Sequence, residues 1–274
     1  MITIKEALTK KEMKDYVMFS FELYKNNPYW IPPIIAEELE TFDKTKNPAL
    51  QTAEAHFYLA YKDNKIVGKI AAIINWEEVN LLGKRKARFG WFDAIDDIEV
   101  TKALLNKVEE LGRKHNMDHM EGPMGFSNLD KVGILSEGFD QMGNMITWYS
   151  LPYYITHFEQ LGFIKEKEYT ESDFSFNGIN PEPFQKASEL IKKRYELRSL
   201  NFTKTKDIMP YVDKMFDLFN ETYAKLQSFV PINDIQKAYF KKKYISFINP
   251  EFIKFIVDKN DNMIAFAIVM PGFA

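Results

Sequence analysis

Three acidic residues lie close together at the start of a predicted helix, and their side chains could do chemistry. Asp96, Asp97 and Glu99 lie in the stretch FDAIDDIEVT, between an apolar strand and an amphipathic segment. Carboxylates this close together could bind a metal ion or transfer protons. Carboxylates at a helix start also cap free N–H groups and interact favourably with the helix dipole. We favour the capping role, and a catalytic or metal role stays open.

The histidines and glycines do not form a recognised cofactor motif. His115 and His119 are four residues apart, the spacing of a helical metal-binding pair. The glutamate of an H-E-x-x-H motif is missing, and the segment changes from predicted helix to predicted strand between the two histidines. The sequence has no cysteine and neither a P-loop nor a G-x-G-x-x-G motif. We therefore expect neither a zinc site nor an ATP site.

The composition indicates a folded globular protein and disfavours several partners. The chain has 274 residues, 46% of them hydrophobic, and a formal charge of −3. Because blocks of like charge are missing, we do not expect nucleic acid as a partner. No apolar run reaches the roughly 18 residues of a membrane span, and the first residues lack the apolar core of a signal peptide. With no cysteine present, we expect a cytoplasmic location and no membrane association.

Two similar predicted hairpins indicate that the chain contains a repeated structural unit, and the acidic cluster lies in the first copy. The segments FYLAYKDNKIVGKIAAII, from Phe57, and FIKFIVDKNDNMIAFAIVM, from Phe252, each contain an apolar strand, a polar turn and a second apolar strand. If each hairpin marks the middle of a unit, the first unit is complete at about Asn177. The second unit then stops before its later strands and helices.

Apolar periodicity and turn residues predict the remaining elements. In the first unit they predict helices at residues 10–25, 96–115 and 153–161, and strands at 2–4, 57–61, 66–74, 88–94 and 118–121, with two closing strands within 163–176. They predict a connecting helix at 181–195, and then, in the second unit, a strand near 197–202 and helices at 208–226 and 233–244. The proline-rich segment NPYWIPP is predicted to be a stiff loop with a structural role for Tyr29 and Trp30.

This order of elements resembles the GNAT acyltransferase fold. The segments NPYWIPP, GWFDAIDD, and GILSEGFD followed by LPYYITHFEQLGF are similar to a bacterial family of double GNAT-like N-acetyltransferases, and the resemblance covers nearly the whole chain. It implies an α+β fold, with a GNAT mixed sheet flanked by helices and a partial second GNAT-like unit. The implied domains are a complete one at 1–178, a connecting helix at 179–197, and the N-terminal half of a second one at 198–274.

The resemblance implies a coenzyme A loop that the first unit lacks. GNAT domains hold the pyrophosphate with a loop of the type R/Q-x-x-G-x-G/A and the start of the following helix. The corresponding residues 92–101 include no glycine and no basic residue, and they place three acids at the helix start. Each acid about 5 Å from a phosphate charge costs roughly 0.8 kcal/mol even in water, whereas the helix dipole contributes about 1 kcal/mol. We therefore expect that the first unit does not hold coenzyme A in the usual way.

By resemblance, the intact parent is an acyl-CoA-dependent N-acetyltransferase that uses acetyl-CoA or another acyl-CoA and a small amine acceptor of unknown identity. Its second unit would carry the phosphate loop beyond Ala274. The 274-residue chain is therefore expected to be inactive and not to bind acyl-CoA tightly. The alternative is a non-catalytic GNAT-like module that binds a small molecule or a protein through its open sheet and the loop at residues 125–140.

Tyr153 and Tyr154 are the candidate catalytic residues that the resemblance implies. They begin the predicted helix where GNAT enzymes often place a tyrosine that protonates the departing thiolate. Packing in the core is the alternative interpretation for both.

Four polar residues after the fifth strand are candidate substrate-binding residues by the same resemblance, because acceptors approach this side of a GNAT sheet. They are Glu121, Ser127, Asn128 and Asp130. A solvated loop is the alternative interpretation.

The last predicted strand also has a consequence for assembly. The segment from Ile264 to Met270 would have an unpaired edge, and exposed edges tend to pair with another strand. We therefore expect a homodimer through this strand.

Overall fold

The structure is a computed structural model that describes residues 1–127, 129–144, 147–226, 229–245 and 248–270. The chain divides into two compact units, with unit 1 ending at Ile164 and unit 2 beginning at Lys165. Within the described residues, no helix combines the length and the apolar content that a membrane crossing requires.

Unit 1 is built on a five-stranded mixed sheet whose strands lie in sequence order. The first four strands pair antiparallel, and the fifth runs parallel to the fourth. The strands are β1 (Ile2–Glu6), β2 (Ala53–Lys62), β3 (Lys65–Asn75), β4 (Lys86–Ala94) and β5 (His119–Glu121). Asp63 and Asn64 between β2 and β3 both have positive φ, as in the tight turns that match the twist of hairpin strands. This sheet confirms the predicted hairpin and the GNAT order of strands.

Helices cover both faces of the sheet. They are α1 (Lys10–Leu23), α2 (Ile35–Thr41), α3 (Ala49–Thr52), α4 (Trp76–Leu82), α5 (Ile98–Lys114) and α6 (Tyr153–Gln160). The predicted helices at α1, α5 and α6 are confirmed within a few residues. Sequence periodicity missed α2, α3 and α4, because helices of four to seven residues make too few turns to show a 3.6-residue pattern.

The core has two layers, one on each face of the sheet. Ile70 and Ile74 of β3 pack in one cluster with Leu104 of α5, whereas Ile73 packs in the other cluster with Tyr16 of α1. Successive strand side chains point to opposite faces, so both faces of β3 are buried. This explains why β3 is an almost continuous apolar run.

The two closing strands predicted within residues 163–176 are wrong. The structure has no strand in this segment, and Ile164, Phe174 and Phe176 are largely exposed. Charged residues dominate between Lys165 and Asp173, so a strand here would have no apolar face to bury. Unit 1 therefore follows the GNAT order through α6 and lacks the two strands that would close it.

Unit 2 repeats the beginning of the same order. Its elements are α7 (Glu182–Tyr195), β6 (Arg198–Asn201), α8 (Thr205–Tyr223), α9 (Asp234–Phe240), β7 (Ile253–Val257) and β8 (Met263–Ile268). The strands form an antiparallel sheet in the order β6-β7-β8, and α8 packs on it through Ile208 and Val212. The strand, helix, helix and hairpin predicted for the second unit are confirmed.

The outer strand of the second sheet fits the condition for strand pairing. In the described part of the chain β8 pairs with β7 alone, and Ile264 is 49% exposed. The homodimer through this strand stays a prediction.

An ion cluster beside β2 ties that strand to the end of α5. The carboxylate of Glu54 lies 3.1 Å from His56 Nε2, 3.1 Å from Lys114 Nζ and 2.9 Å from His115 Nε2. Partial burial raises the pKa of Glu54, but the hydrogen bonds from His56 and Lys114 and the interaction with His115 outweigh it and lower the pKa to about 2. Because the folded pKa is below the ordinary value of 4.5, the carboxylate stabilises the fold above that pH.

We predict that Glu54→Gln lowers the free energy of unfolding by about 1–2 kcal/mol at pH 7, after allowance for solvent screening. The difference from wild type should shrink as the pH falls from about 4.5 towards 2, because the wild-type carboxylate then takes up a proton. Urea denaturation followed by tryptophan fluorescence measures it, since Trp30, Trp76, Trp91 and Trp148 all lie in unit 1. The control is Glu159→Gln at an exposed position of α6. A difference that does not change with pH would contradict the prediction.

Candidate functional site

A buried carboxylate near the end of β4 collects contacts from three other elements. Asp93 accepts a hydrogen bond from Ser20 Oγ of α1 at 2.6 Å, and one from the Tyr24 hydroxyl, just after α1, at 2.8 Å. The hydroxyl of Tyr154 from α6 lies 3.3 Å from the same carboxylate. Lys69 Nζ of β3 lies 3.5 Å away and supplies a positive charge. The buried charge of Asp93 is thus paired and hydrogen-bonded, as buried charges in proteins must be.

A bulge in β4 brings Asp93 opposite Lys69. Lys69 pairs with Asp93 and Ala71 pairs with Gly90, so β4 has one residue more than β3 over this stretch. Trp91 takes up the irregularity with φ of 45°, which is rare for a bulky residue. Bulges re-aim side chains and are common beside active sites.

The Asp93 cluster opens into a cavity of about 50 Å³. This volume holds roughly three to five water molecules, or the head group of a small molecule. Trp30 and Trp148 contribute to its walls, and Lys131 contributes to its polar lining. Trp30 stacks on Tyr24 with the ring centroids 5.2 Å apart. The NPYWIPP segment, predicted to have a structural role, therefore also forms part of a cavity wall.

The loop after β5 lies against β4 and brings Lys131 to the cavity. A Cβ on Gly90 of β4 would lie 2.3 Å from the carbonyl oxygen of Met124, so this close approach requires glycine. The loop then turns back, and Val132 forms an isolated bridge with Met124. Lys131 precedes Val132 and is fixed by the same bridge.

Buried charges hold the beginning of this loop. Arg88 Nε of β4 donates to Glu78 of α4 at 2.8 Å, and Lys86 Nζ lies 3.0 Å from Glu78 and 2.5 Å from Glu121. Arg88 also donates to the carbonyl oxygen of Gly125 at 3.1 Å. The structure thus places Glu121, a predicted substrate-binding residue, in an ion network between β4, β5 and α4.

The other predicted substrate-binding residues lie further along the loop. The backbone N–H of Ser127 donates to the Asp130 carboxylate at 2.8 Å. In the described part of unit 1, neither residue is among those that line the cavity. Asn128 lies outside the described residues. Substrate binding by these positions stays a prediction.

The two tyrosines at the start of α6 bind the backbone of β4. The Tyr154 hydroxyl accepts a hydrogen bond from Ala94 N at 2.9 Å, and the Tyr153 hydroxyl donates to Ala94 O at 2.7 Å. Burial raises the pKa of Tyr154 well above its ordinary value, and the charge of Asp93 adds to this. Burial also raises the pKa of Tyr153. Both hydroxyls therefore hold their protons strongly, and a catalytic role for them stays a prediction.

The acidic cluster at the start of α5 makes its own contacts. Asp97 is the N-cap and accepts from Glu99 N at 3.0 Å and from Lys62 Nζ at 2.8 Å. The hydrogen bond from Lys62 lowers the pKa of Asp97, and Asp96 lies 3.2 Å from His157 Nε2. The capping interpretation is confirmed for Asp97. No group of three or more metal-ligating side chains occurs among the residues that the structure describes.

These contacts also show how poorly this helix start suits a diphosphate. A pyrophosphate in front of α5 would meet the carboxylates of Asp96 and Asp97, and close like charges repel strongly when partly desolvated. The amide nitrogen and carbonyl oxygen of Ala94, at the end of β4, are already used by the tyrosines. The expectation that unit 1 does not hold coenzyme A in the usual way stays a prediction.

The sequence analysis singled out one residue of the cavity cluster, Tyr154, and missed the others. Lys69 carried a signal, because it is a charged residue within the apolar run IVGKIAAII. Asp93 carried a weaker one, as an acid within an apolar strand. Nothing in the sequence marked Ser20 or Lys131, because their neighbours at the cavity are distant in the chain.

No family model matches this sequence. Two curated bacterial proteins are similar to it. Protein YghO of Escherichia coli is 26% identical over 274 residues, which cover 98% of this chain and 68% of that protein. The bacterial ceramide synthase of Caulobacter vibrioides is 23% identical over 249 residues, which cover 90% of this chain and 64% of the synthase. The chain thus spans about two thirds of the length of each relative.

A solved structure matches both units. It is a tandem GNAT protein from the clavulanic acid biosynthesis pathway, which is 11% identical with a TM-score of 0.50. The match covers 99% of this chain and 76% of that protein. Together with the strand order, this likeness shows that the chain has the GNAT fold.

We predict that Asp93→Asn destabilises unit 1 by about 3–5 kcal/mol, because it leaves the buried ammonium of Lys69 without its partner. Urea denaturation followed by tryptophan fluorescence measures this loss. The control is Asp118→Asn at an ion pair with Arg85 whose side chains are more than half exposed, where we expect less than about 1 kcal/mol.

A double variant tests whether the pair is the cause. In Asp93→Asn/Lys69→Met no buried cation is left unpaired, so the loss should be smaller than the sum of the two single losses. Additive losses would show that the ion pair does not explain the effect.

Proposed function

We propose that the chain functions in acyl-CoA-dependent N-acyl transfer of the GNAT type, in which an amide is formed on a small amine. In this proposal unit 1 binds a small molecule through the cavity at Asp93 and does not hold the acyl-CoA. One observation supports the view that unit 1 binds a small molecule and not the acyl-CoA. At the start of α5, Asp97 and Lys62 form an ion pair at 2.8 Å.

Two considerations support amide formation. The chain has the GNAT fold, and one similar protein is named a bacterial ceramide synthase. A ceramide is the N-acyl amide of a long-chain amino alcohol, so that name describes the same type of bond. In such a reaction the amine attacks the thioester carbonyl after losing a proton, and a strand amide supports the oxyanion.

The role proposed for unit 1 rests on its contacts. The helix start that would face a pyrophosphate is capped by an acid, and the backbone groups of Ala94 are occupied by Tyr153 and Tyr154. The cavity lies instead among β4, the end of α1 and the loop after β5. The cavity combines aromatic walls with several convergent polar groups, and such polar groups fix the orientation of a ligand in small-molecule sites.

The same observations favour a second candidate function. A GNAT-like module without catalytic activity would also have a ligand cavity and a closed helix start in unit 1. The two functions differ in whether the protein, as the cell makes it, transfers an acyl group to an amine.

We predict that Asp97→Asn changes the KM for acetyl-CoA by less than about twofold, because unit 1 does not hold the donor. Asparagine is as good an N-cap as aspartate, so the fold should be retained. Coenzyme A release is measured with a thiol reagent, using hexylamine as acceptor and the protein as the cell makes it. The chain has no cysteine, so it adds no thiol background of its own.

Several outcomes would separate the alternatives. A KM change above about tenfold in Asp97→Asn, or micromolar binding of acetyl-CoA to the 274-residue chain in calorimetry, would contradict the role proposed for unit 1. No coenzyme A release with any amine would favour the non-catalytic module. The control variant is Glu159→Gln, on the exposed face of α6.

A further inference from the structure

Lys131 brings a second lysine amine to the cavity of unit 1. It lines the cavity together with Lys69, Asp93 and Glu38. Lys69 is paired with Asp93 at 3.5 Å and lies over the ring of Tyr16 at 5.0 Å. For Lys131, by contrast, the described residues provide no hydrogen bond and no ion pair. Of the two lysines that line the cavity, Lys131 is therefore the one without a close carboxylate partner among the described residues.

The environment of Lys131 favours its neutral form. Burial lowers the pKa of Lys131, and the positive charge of Lys69 lowers it further. The negative charges of Glu38 and Asp93 raise the pKa, but by less. These charged groups come from α2, β4 and β3, on the elements around the cavity. Each unit by which a lysine pKa falls raises its neutral fraction at neutral pH about tenfold. A neutral amine is a nucleophile, and desolvation in a pocket is a known way to activate lysine.

The surrounding charges distinguish between classes of ligand. An anion beside Lys131 would also lie near the carboxylates of Asp93 and Glu38, which repel it. Lys69 balances the charge of Asp93, so the repulsion from Glu38 is the part that stays uncompensated. A cation formed at Lys131 would be stabilised by the same two carboxylates. A neutral ligand avoids the repulsion that an anion would meet, and the two carboxylates offset part of the cost of a positive charge that forms on reaction with the amine.

We propose that Lys131 forms a Schiff base with the aldehyde or ketone group of a small molecule bound in the cavity of unit 1. The amine nitrogen attacks the carbonyl carbon, and both of its hydrogens move to the carbonyl oxygen, which leaves as water. The imine then takes up one proton and becomes an iminium beside Asp93 and Glu38. No oxidant or reductant is needed.

The cavity fits this chemistry in size and in its walls. A volume of about 50 Å³ admits a carbonyl head group and leaves the remainder of the molecule outside. The indoles of Trp30 and Trp148 provide apolar walls for the carbon chain of such a molecule. The inference rests on the proposal that this cavity is the ligand site of unit 1, and it does not depend on acyl transfer.

The experiment is reductive trapping with hexanal and cyanoborohydride at pH 7 on the 274-residue chain, followed by peptide mass spectrometry. We expect Lys131 to be alkylated severalfold faster than Lys165, whose side chain is 69% exposed. The control variant Lys165→Arg should leave labelling of Lys131 unchanged. Equal or slower labelling of Lys131 would overturn the proposal.

A second variant tests the electrostatic argument without removing the lysine. Glu38→Gln removes the charge that most favours the protonated amine, so initial alkylation of Lys131 at pH 6 should become faster. The equilibrium amount of imine is compared without reductant at pH 9, where the amine is mostly neutral in both proteins. The variant has one carboxylate fewer beside the iminium, so it should contain less imine than wild type. No change in either measurement would overturn the proposal.

A third measurement separates this inference from the proposed ligand site. Hexanol has the same chain as hexanal but cannot form an imine. If both quench tryptophan fluorescence equally and no Lys131 adduct is trapped, the cavity binds ligands and the Schiff base is overturned. If hexanal is trapped at Lys131 while no coenzyme A release occurs with any amine, only the acyltransferase proposal fails.

Discussion

The charge of Asp93 is the constraint on which the structure of unit 1 depends. A carboxylate at this depth is tolerated only if its charge is balanced and its oxygens are hydrogen-bonded. The fold meets this requirement with Ser20 and Tyr24 from α1, Tyr154 from α6 and Lys69 from β3. Helices from opposite faces of the sheet are thereby fixed to the same point of β4. The bulge at Trp91 is part of this arrangement, since it sets the register that pairs Lys69 with Asp93.

A second group of buried charges determines what faces Asp93. This network contains two cations, Lys86 and Arg88, and two carboxylates, Glu78 and Glu121, so it is neutral. Its side chains are almost fully buried. It fixes the beginning of the loop after β5 against β4, and the bridge between Met124 and Val132 turns the loop back. Lys131 is positioned by this loop. The reactive character proposed for Lys131 thus depends on packing that lies outside the cavity.

The sequence predicted the order of elements well and the site poorly, for physical reasons. Hairpins such as β2-β3 and amphipathic helices such as α5 are encoded by neighbouring residues, so local periodicity reveals them. The closing strands within 163–176 depend on pairing with a distant strand, and their charged residues give them no buried face. The cavity is assembled from Ser20, Lys69, Asp93 and Lys131, which lie far apart in the chain. No local pattern could have joined them.

Unit 1 retains the GNAT scaffold while its polar groups are used differently. The N–H groups at the start of α5 are capped by Asp97, and the carboxylate of that cap is neutralised by Lys62. The free backbone groups at the end of β4 are satisfied by Tyr153 and Tyr154. Each of these contacts stabilises the unit, and each removes a group that could otherwise bind a ligand from that side. At the cavity beside Asp93, by contrast, Lys131 is a lysine for which the described residues provide no ion pair.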